Sequence, residues 1–268
     1  MMKVGVVGWP IAHSRSPVIF AHWFAEFGID ATYELIPVAP EDAAEFFTAL
    51  PATWHGVNVT VPHKATAARH VASEGAGARL GVVNTVWRDG HVVRGTSSDG
   101  FGFVASLDAA APSWRDGEGA ALVLGAGGAA VAIADALAKE GRDVIIANRT
   151  AEKAETLAAS IGGKAVPLDA LPDAMAEAGV FVNATSQGMA GAEPLSLDLS
   201  PLPSHAVVTD IVYNPLETAL LAAARERGLT AVDGLGMLLH QATEGFFRWF
   251  GERPAVDEAL RRKVMATL

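Results

Sequence analysis

Apolar and polar positions alternate along this chain with two periods that take turns. Lys3 to Val7, Thr32 to Pro37 and Gly56 to Val61 are short apolar runs, and two of the three are bounded by Pro, which predicts strands. Between them, Pro17 to Phe27 and Glu41 to Leu50 carry apolar residues at helical spacing. Ser16 is placed to cap the first of these helices, and Pro17 suits its first turn. Val82 to Trp87 and His91 to Arg94 predict two further short strands. Strand and helix in alternation point to an α/β fold on largely parallel sheets.

The character changes after about Gly102. A helical segment, Phe103 to Ala111, leads into Pro112 to Gly119, whose Pro, Ser and Gly residues mark a domain boundary. Beyond it lie a buried strand (Ala120 to Leu124), a helix (Ala129 to Lys139) and another strand (Asp143 to Ala147). More units follow around Val180 to Asn183 and Val207 to Ile211, and two helices, Met237 to Phe250 and Val256 to Met265, end the chain. A length of 268 residues suffices for two small domains, each with its own core.

Composition narrows the function. The chain holds 20 Lys and Arg against 30 Asp and Glu, a formal net charge of −10, which argues against general nucleic-acid binding. It has no cysteine, so disulfides, zinc–thiolate sites and iron–sulfur clusters are excluded. No His/Asp/Glu cluster stands at ligand spacing, so no metal is expected. The most apolar stretch, Gly119 to Ala134, is interrupted by Gly125, Gly127 and Gly128 and falls short of the roughly 20 residues of a membrane helix. No signal-peptide pattern opens the chain, and the expected location is the cytoplasm, away from membranes.

Two regions carry chemistry. The first is Gly125-Ala126-Gly127-Gly128-Ala129-Ala130, between an apolar strand and an apolar helix. Glycines there let the backbone turn tightly and approach a pyrophosphate, which the helix N-terminus then binds through free N–H groups; this is a dinucleotide fingerprint. The next strand ends at Asn148-Arg149-Thr150, where an NAD site would usually carry an acid for the ribose hydroxyls. Arg149, with Lys153 one helical turn on, can instead bind a 2′-phosphate, so the expected cofactor is NADP.

The second region is a set of polar motifs in the first hundred residues. Ser14 and Ser16 flank Arg15 where a strand gives way to a helix, and both could donate to a carboxylate, although a turn residue and a cap would look the same. In Gly56-Val57-Asn58-Val59-Thr60-Val61-Pro62-His63-Lys64, strand alternation places Asn58 and Thr60 on one face, with Lys64 just beyond. Asn84 follows in Val83-Asn84-Thr85. Asp99, in Ser97-Ser98-Asp99-Gly100, stands where a strand meets a helix, the place of a common cap.

Together these motifs resemble the shikimate dehydrogenase family over essentially the whole chain. Asn183-Ala184-Thr185-Ser186-Gln187-Gly188, Asp210-Ile211-Val212-Tyr213 through Thr218, and Gly234-Leu235-Gly236-Met237 through Gln241 add to the likeness. The resemblance implies NADP-dependent, reversible oxidation of the shikimate C3 hydroxyl to 3-dehydroshikimate, in the supply of chorismate and aromatic amino acids. It implies a substrate domain of residues 1–102 joined by C-terminal helices 237–268, a Rossmann-like, doubly wound NADP domain of 103–236, and an active-site cleft between them. Lys64 and Asp99 would be the catalytic pair. Ser14 and Ser16 would bind the substrate carboxylate; Thr60, Asn84 and Gln241 its hydroxyls, with Asn58 and Tyr213 at the site. Asn183, Thr185, Gly188, Ile211, Gly234 and Met237 would lie along the cofactor with the glycine turn and Asn148-Arg149-Thr150. The chain departs from the family in Ser97-Ser98, where Asn-Thr is frequent, and in Phe20-Ala21, where His-Asn is frequent. A quinate or aminoshikimate dehydrogenase of the same fold, or a non-catalytic NADP or metabolite sensor, are the alternatives; a monomer or homodimer is expected.

Overall fold

The computed structural model describes all 268 residues, Met1 to Leu268. They divide into two compact units, Met1–Asp99 with Leu239–Thr267, and Gly100–Leu238 with Leu268.

In the first unit, β1 (Met2–Gly8), α1 (Ser16–Phe27), β2 (Ala31–Pro37), α2 (Ala43–Thr48) and β3 (Trp54–Val59) are followed by α3 (Lys64–His70), β4 (Ala72–Ser73), α4 (Gly75–Leu80), β5 (Thr85–Asp89) and β6 (Val92–Thr96). The six strands form one sheet in the order β2-β1-β3-β5-β6-β4. Three of its five pairs are parallel; β3–β5 and β5–β6 are antiparallel, the second because the short connection between β5 and β6 closes as a hairpin. Helix α1 ends at Gly28, whose φ of 64° is the left-handed conformation that glycine reaches without strain. Ser16 does not cap this helix. It is the first helical residue, Arg15 holds the cap position without a side-chain bond, and the Ser16 hydroxyl is engaged elsewhere. Strand β3 stops at Val59, two residues short of the run read from sequence. Thr60 and Val61 therefore leave the alternation, and Val61 is exposed. Helices α3 and α4 carry too few periodic apolar positions to stand out in the sequence; α3 begins after Pro62, which also ends the preceding extended segment.

The second unit starts within α5 (Asp99–Ala110) and continues as β7 (Ala120–Leu124), α6 (Gly128–Lys139), β8 (Val144–Ala147), α7 (Ala151–Ile161), β9 (Lys164–Val166), α8 (Leu171–Ala176), β10 (Ala178–Asn183), β11 (Val207–Asp210), α9 (Ala219–Glu226) and β12 (Thr230–Val232). Its sheet has the order β12-β11-β10-β7-β8-β9, with every pair parallel. Read from β7, this is the doubly wound order in which strands are added first to one side and then to the other. All residues of β8 and β10 are buried, as expected for parallel strands covered on both faces. One apolar cluster, with Ile133, Leu137 and Leu157, covers one face; another, with Leu171, Phe181 and Leu220, covers the other.

Helix α10 (Gly234–Phe250) starts in the second unit and passes into the first, where α11 (Glu258–Met265) follows. No helix is long and apolar enough to cross a membrane.

Candidate active site

In the first unit, sheet register collects the polar motifs. Asn58 pairs with Thr85 and Thr85 with Thr96, so the end of β3, the start of β5 and the end of β6 lie side by side at one edge of the sheet. Lys64 opens α3 and Asp99 opens α5 just beyond that edge. The Lys64 ammonium donates to Asp99 Oδ2 at 2.5 Å, and the two side chains are only 14% and 6% exposed. The other oxygen, Asp99 Oδ1, accepts from Asn84 Nδ2 at 3.0 Å, and the same amide donates to Gln241 Oε1 at 3.0 Å. The orientation of Asn84 is fixed from behind: its Oδ1 accepts from the Ser98 backbone N–H (2.8 Å), the Ser98 hydroxyl (3.2 Å) and the Thr85 hydroxyl (3.2 Å). With both ends of its amide occupied, Asn84 links Asp99 to Gln241. The one Ser98 hydroxyl proton is shared between Asn84 Oδ1 and the Gln241 carbonyl, 3.0 Å away, which ties α10 to this corner.

The serine pair joins the same network. Ser14 Oγ donates to Ser16 Oγ at 3.3 Å, and the Ser16 hydroxyl stands near the Tyr33 phenol. Tyr33 in turn donates to Asn58 Oδ1 at 2.8 Å, and Asn58 Nδ2 donates to the Asn84 carbonyl at 3.3 Å. Burial raises the Tyr33 phenol far above its ordinary value, and the nearby Ser16 hydroxyl only partly offsets this. Tyr33, Thr85 and Ser98 are not among the residues to which the sequence assigns a role. Tyr33 and Thr85 are polar side chains within apolar runs, the signal of any satisfied core residue, and Ser98 sits in a polar strand-to-helix turn where a cap would look the same. Thr60, directly after β3, packs against Gly8 so closely that a Cβ on Gly8 would fall 2.6 Å from its methyl group.

In the second unit the candidates gather at the C-terminal ends of four neighbouring strands. Asn183 pairs with Leu124 on one side and Asp210 on the other, while Leu124 pairs with Ala147. The residues that follow these ends are Gly125, Asn148-Arg149-Thr150, Ala184-Thr185 and Ile211. They flank the point between β7 and β10 where the order of the sheet reverses, the usual ligand crevice of such sheets. Gly125 has φ of 118°, and a Cβ there would lie 2.9 Å from the Ala184 carbonyl oxygen, so the turn needs glycine. At Gly127 a Cβ would meet nothing within 4 Å, and α6 starts there with no side-chain cap and no acid in its first turn. Arg149 and Lys153 are exposed, and Asn148 donates to the Thr150 carbonyl at 2.9 Å. An open glycine over an uncapped twelve-residue helix, with two cations and no carboxylate at the end of β8, fits a dinucleotide with a 2′-phosphate. Tyr213 is half-buried in the loop after β11; Gly234 and Met237 open α10, both buried. No group of three or more His, Asp or Glu residues is placed to hold a metal.

Comparison with known proteins agrees with this arrangement. Three family profiles match: "Shikimate dehydrogenase substrate binding domain" over residues 6–86, "Shikimate / quinate 5-dehydrogenase" over 114–193, and "Shikimate 5'-dehydrogenase C-terminal domain" over 234–262. The shikimate dehydrogenase (NADP(+)) of Mesorhizobium japonicum is 51% identical over 99% of this chain and 96% of its own. The chain belongs to the shikimate dehydrogenase family. The Methylocella silvestris member is 52% identical over 98% of this chain and 95% of its own. Among solved structures, shikimate 5-dehydrogenase from Thermus thermophilus in complex with NADP(H) and shikimate superimposes with a TM-score of 0.90 at 34% identity, with both chains fully covered. The doubly wound second unit and the mixed first unit are thus the fold of this family, as the resemblance in sequence implied.

Proposed function

We propose that this chain is an NADP-dependent shikimate dehydrogenase that interconverts shikimate and 3-dehydroshikimate in the cytoplasmic supply of chorismate, through a catalytic pair of Lys64 and Asp99. Full-length similarity to NADP-dependent shikimate dehydrogenases supports the activity. The observation that carries the mechanism is the short, shielded contact between Lys64 and Asp99, with Asn84 holding the second carboxylate oxygen. A sensor would need a binding surface but no such proton-handling pair.

When bound, the nicotinamide ring accepts or returns the hydride at the substrate carbon. The chain's own task is the proton. In oxidation the C3 hydroxyl gives up its proton to the Lys64–Asp99 pair as the carbon–oxygen double bond forms; in reduction the Lys64 ammonium returns it to the oxygen. Asp99 keeps Lys64 oriented, and Asn84 prevents Asp99 from turning away. Ser14 and Ser16 receive the carboxylate, Thr60, Asn84 and Gln241 hold hydroxyls, and Asn58 and Tyr213 complete the pocket. Gly125 to Ala129 cradle the pyrophosphate, and Arg149 with Lys153 selects the 2′-phosphate. Asn183, Thr185, Ile211, Gly234 and Met237 line the rest of the cofactor.

Initial rates of nicotinamide reduction, with shikimate or quinate crossed against NADP or NAD, test this. Rapid turnover with shikimate and NADP alone is the expected result. Equal turnover with quinate or with NAD would overturn the specificity, and none with any pair would overturn the activity.

A further inference from the structure

Asp210 belongs to none of the roles above, yet its setting is unusual. It ends β11, is fully buried, and makes every one of its contacts with neutral groups. Oδ1 accepts from Asn183 Nδ2 and from the Val212 backbone N–H, each at 3.0 Å, and Oδ2 accepts from the Thr218 hydroxyl at 2.8 Å. A buried carboxylate without a cation is costly, and burial raises this one above its ordinary value although all three bonds pull the other way. Its partners come from three separate segments that meet at the ligand crevice.

Two of the three bonds lead to cofactor candidates, and the third to a helix. Asn183, held through its amide nitrogen, uses its oxygen to accept from the Thr185 N–H (3.1 Å) and hydroxyl (2.7 Å), which shapes the loop after β10. The same Asn183 amide bonds to the Gln187 carbonyl at 3.2 Å, and the Gln187 N–H returns to the Thr185 hydroxyl at 3.1 Å. The Val212 bond fixes the turn that carries Ile211, whose own N–H bonds to the Asn183 carbonyl at 3.1 Å. Gly234 sits on the far side of that turn, where a Cβ would come within 2.3 Å of the Ile211 carbonyl oxygen. Thr218 caps α9 by accepting from the Leu221 N–H at 3.3 Å, so the third bond anchors the carboxylate to a helix.

We propose that Asp210 is a positioning residue for NADP: it sets the Thr185 loop and the Ile211 turn at the distance the cofactor requires, without touching the cofactor. The inference rests on the assignment of NADP to this crevice.

The test is direct titration of purified full-length protein with NADP, alongside steady-state rates and thermal melting. Asp210→Ala is expected to weaken NADP binding about tenfold, the scale of losing hydrogen bonds to a charged acceptor, while kcat at saturating NADP stays within about threefold. Asp210→Asn keeps an acceptor for Asn183 and Val212, and the Thr218 hydroxyl can turn to accept from its amide, so it is expected to recover most of the lost affinity. Should Asp210→Ala not fold, Thr218→Val, which removes one bond of the three, is expected to weaken NADP binding by about threefold. NADP affinity at the wild-type value in a folded Asp210→Ala or Thr218→Val protein, with only the melting temperature lowered, means a merely structural role and overturns the proposal. Wild-type protein that fails to bind NADP overturns both this proposal and the reading of the crevice, so the two failures are told apart before any variant is made.

Discussion

The two units prepare for their ligands in opposite ways. In the first unit the reactive groups are shielded and already bonded to one another: Lys64 to Asp99, Asp99 to Asn84, Asn84 to Gln241 and, from behind, to Ser98 and Thr85. In the second unit the charged groups assigned to the cofactor stand in solvent, and the ordered part is the backbone, a glycine turn over an uncapped helix. The difference follows from the tasks. A proton must move between groups whose separation is fixed beforehand, so the protein satisfies and aims them itself. A phosphate brings its own charge and oxygens, so the protein need only leave donors open.

Removing the reacting group should break this comparison most sharply. Lys64→Ala is expected to lower kcat by on the order of 10²- to 10⁴-fold while the KM for NADP stays near wild type. Stopped-flow and steady-state rates with shikimate and NADP would measure it; wild-type turnover would remove Lys64 from the mechanism. Arg149→Ala tests the other half. Losing a charge-assisted bond to the 2′-phosphate should raise the KM for NADP by roughly 10- to 100-fold and leave that for NAD unchanged, so the preference narrows while kcat holds. An equal rise for both cofactors would mean that Arg149 does not read the phosphate.

The ease of reading the two halves from sequence follows the same divide. The glycine turn and the Asn148-Arg149-Thr150 strand end are visible because backbone geometry dictates their residue types: Gly125 has a positive φ that only glycine tolerates well. The polar network is legible only in part. Lys64 and Asp99 stand out through motifs, but Tyr33 and Ser98 do not, because what makes them matter is the register that brings β2, β3 and the β6–α5 turn together. The place of Ser16 before Pro17 suggests a cap; the hydroxyl instead accepts from Ser14 and faces Tyr33, a neighbour 17 positions away that local pattern cannot supply. The mixed sheet escapes the sequence for a similar reason, since parallel and antiparallel pairing give much the same apolar run when both faces are buried.

Preorganisation in the first unit has a structural cost that can be exposed without touching the reacting groups. Gly56 in β3 lies under Trp249 of α10, whose indole N–H donates to the Val86 carbonyl at 2.9 Å. A Cβ on Gly56 would fall 2.0 Å from the indole nitrogen and 2.4 Å from the Val86 oxygen. Gly56→Ala is therefore expected to destabilise the protein by about 1–3 kcal/mol, as overpacking does, seen as a lower denaturation midpoint. Because α10 also carries Gln241, the KM for shikimate should rise with it; an unchanged midpoint would mean that the helix can shift at little cost.

The smallest expected effect is the most discriminating about how the network works. Tyr33→Phe removes one hydroxyl and leaves the ring, which stacks on Phe20 at 4.2 Å between centroids, so packing should survive. What is lost is the donor to Asn58 Oδ1, at the substrate side. Net hydrogen-bond values of about 0.5–1.5 kcal/mol translate into a rise of roughly 2- to 10-fold in the KM for shikimate, with the KM for NADP unmoved. The sign of the pH dependence follows from burial. An exposed phenol begins to lose its proton near pH 10, but burial favours the neutral form of Tyr33 and moves its ionisation higher, so the donor to Asn58 persists throughout the working range. The ratio of variant to wild-type KM should accordingly stay flat from about pH 7 to pH 10. A ratio that falls towards one as pH 10 is approached would mean that wild-type Tyr33 is losing its proton there, and that the phenol is not a fixed donor to Asn58.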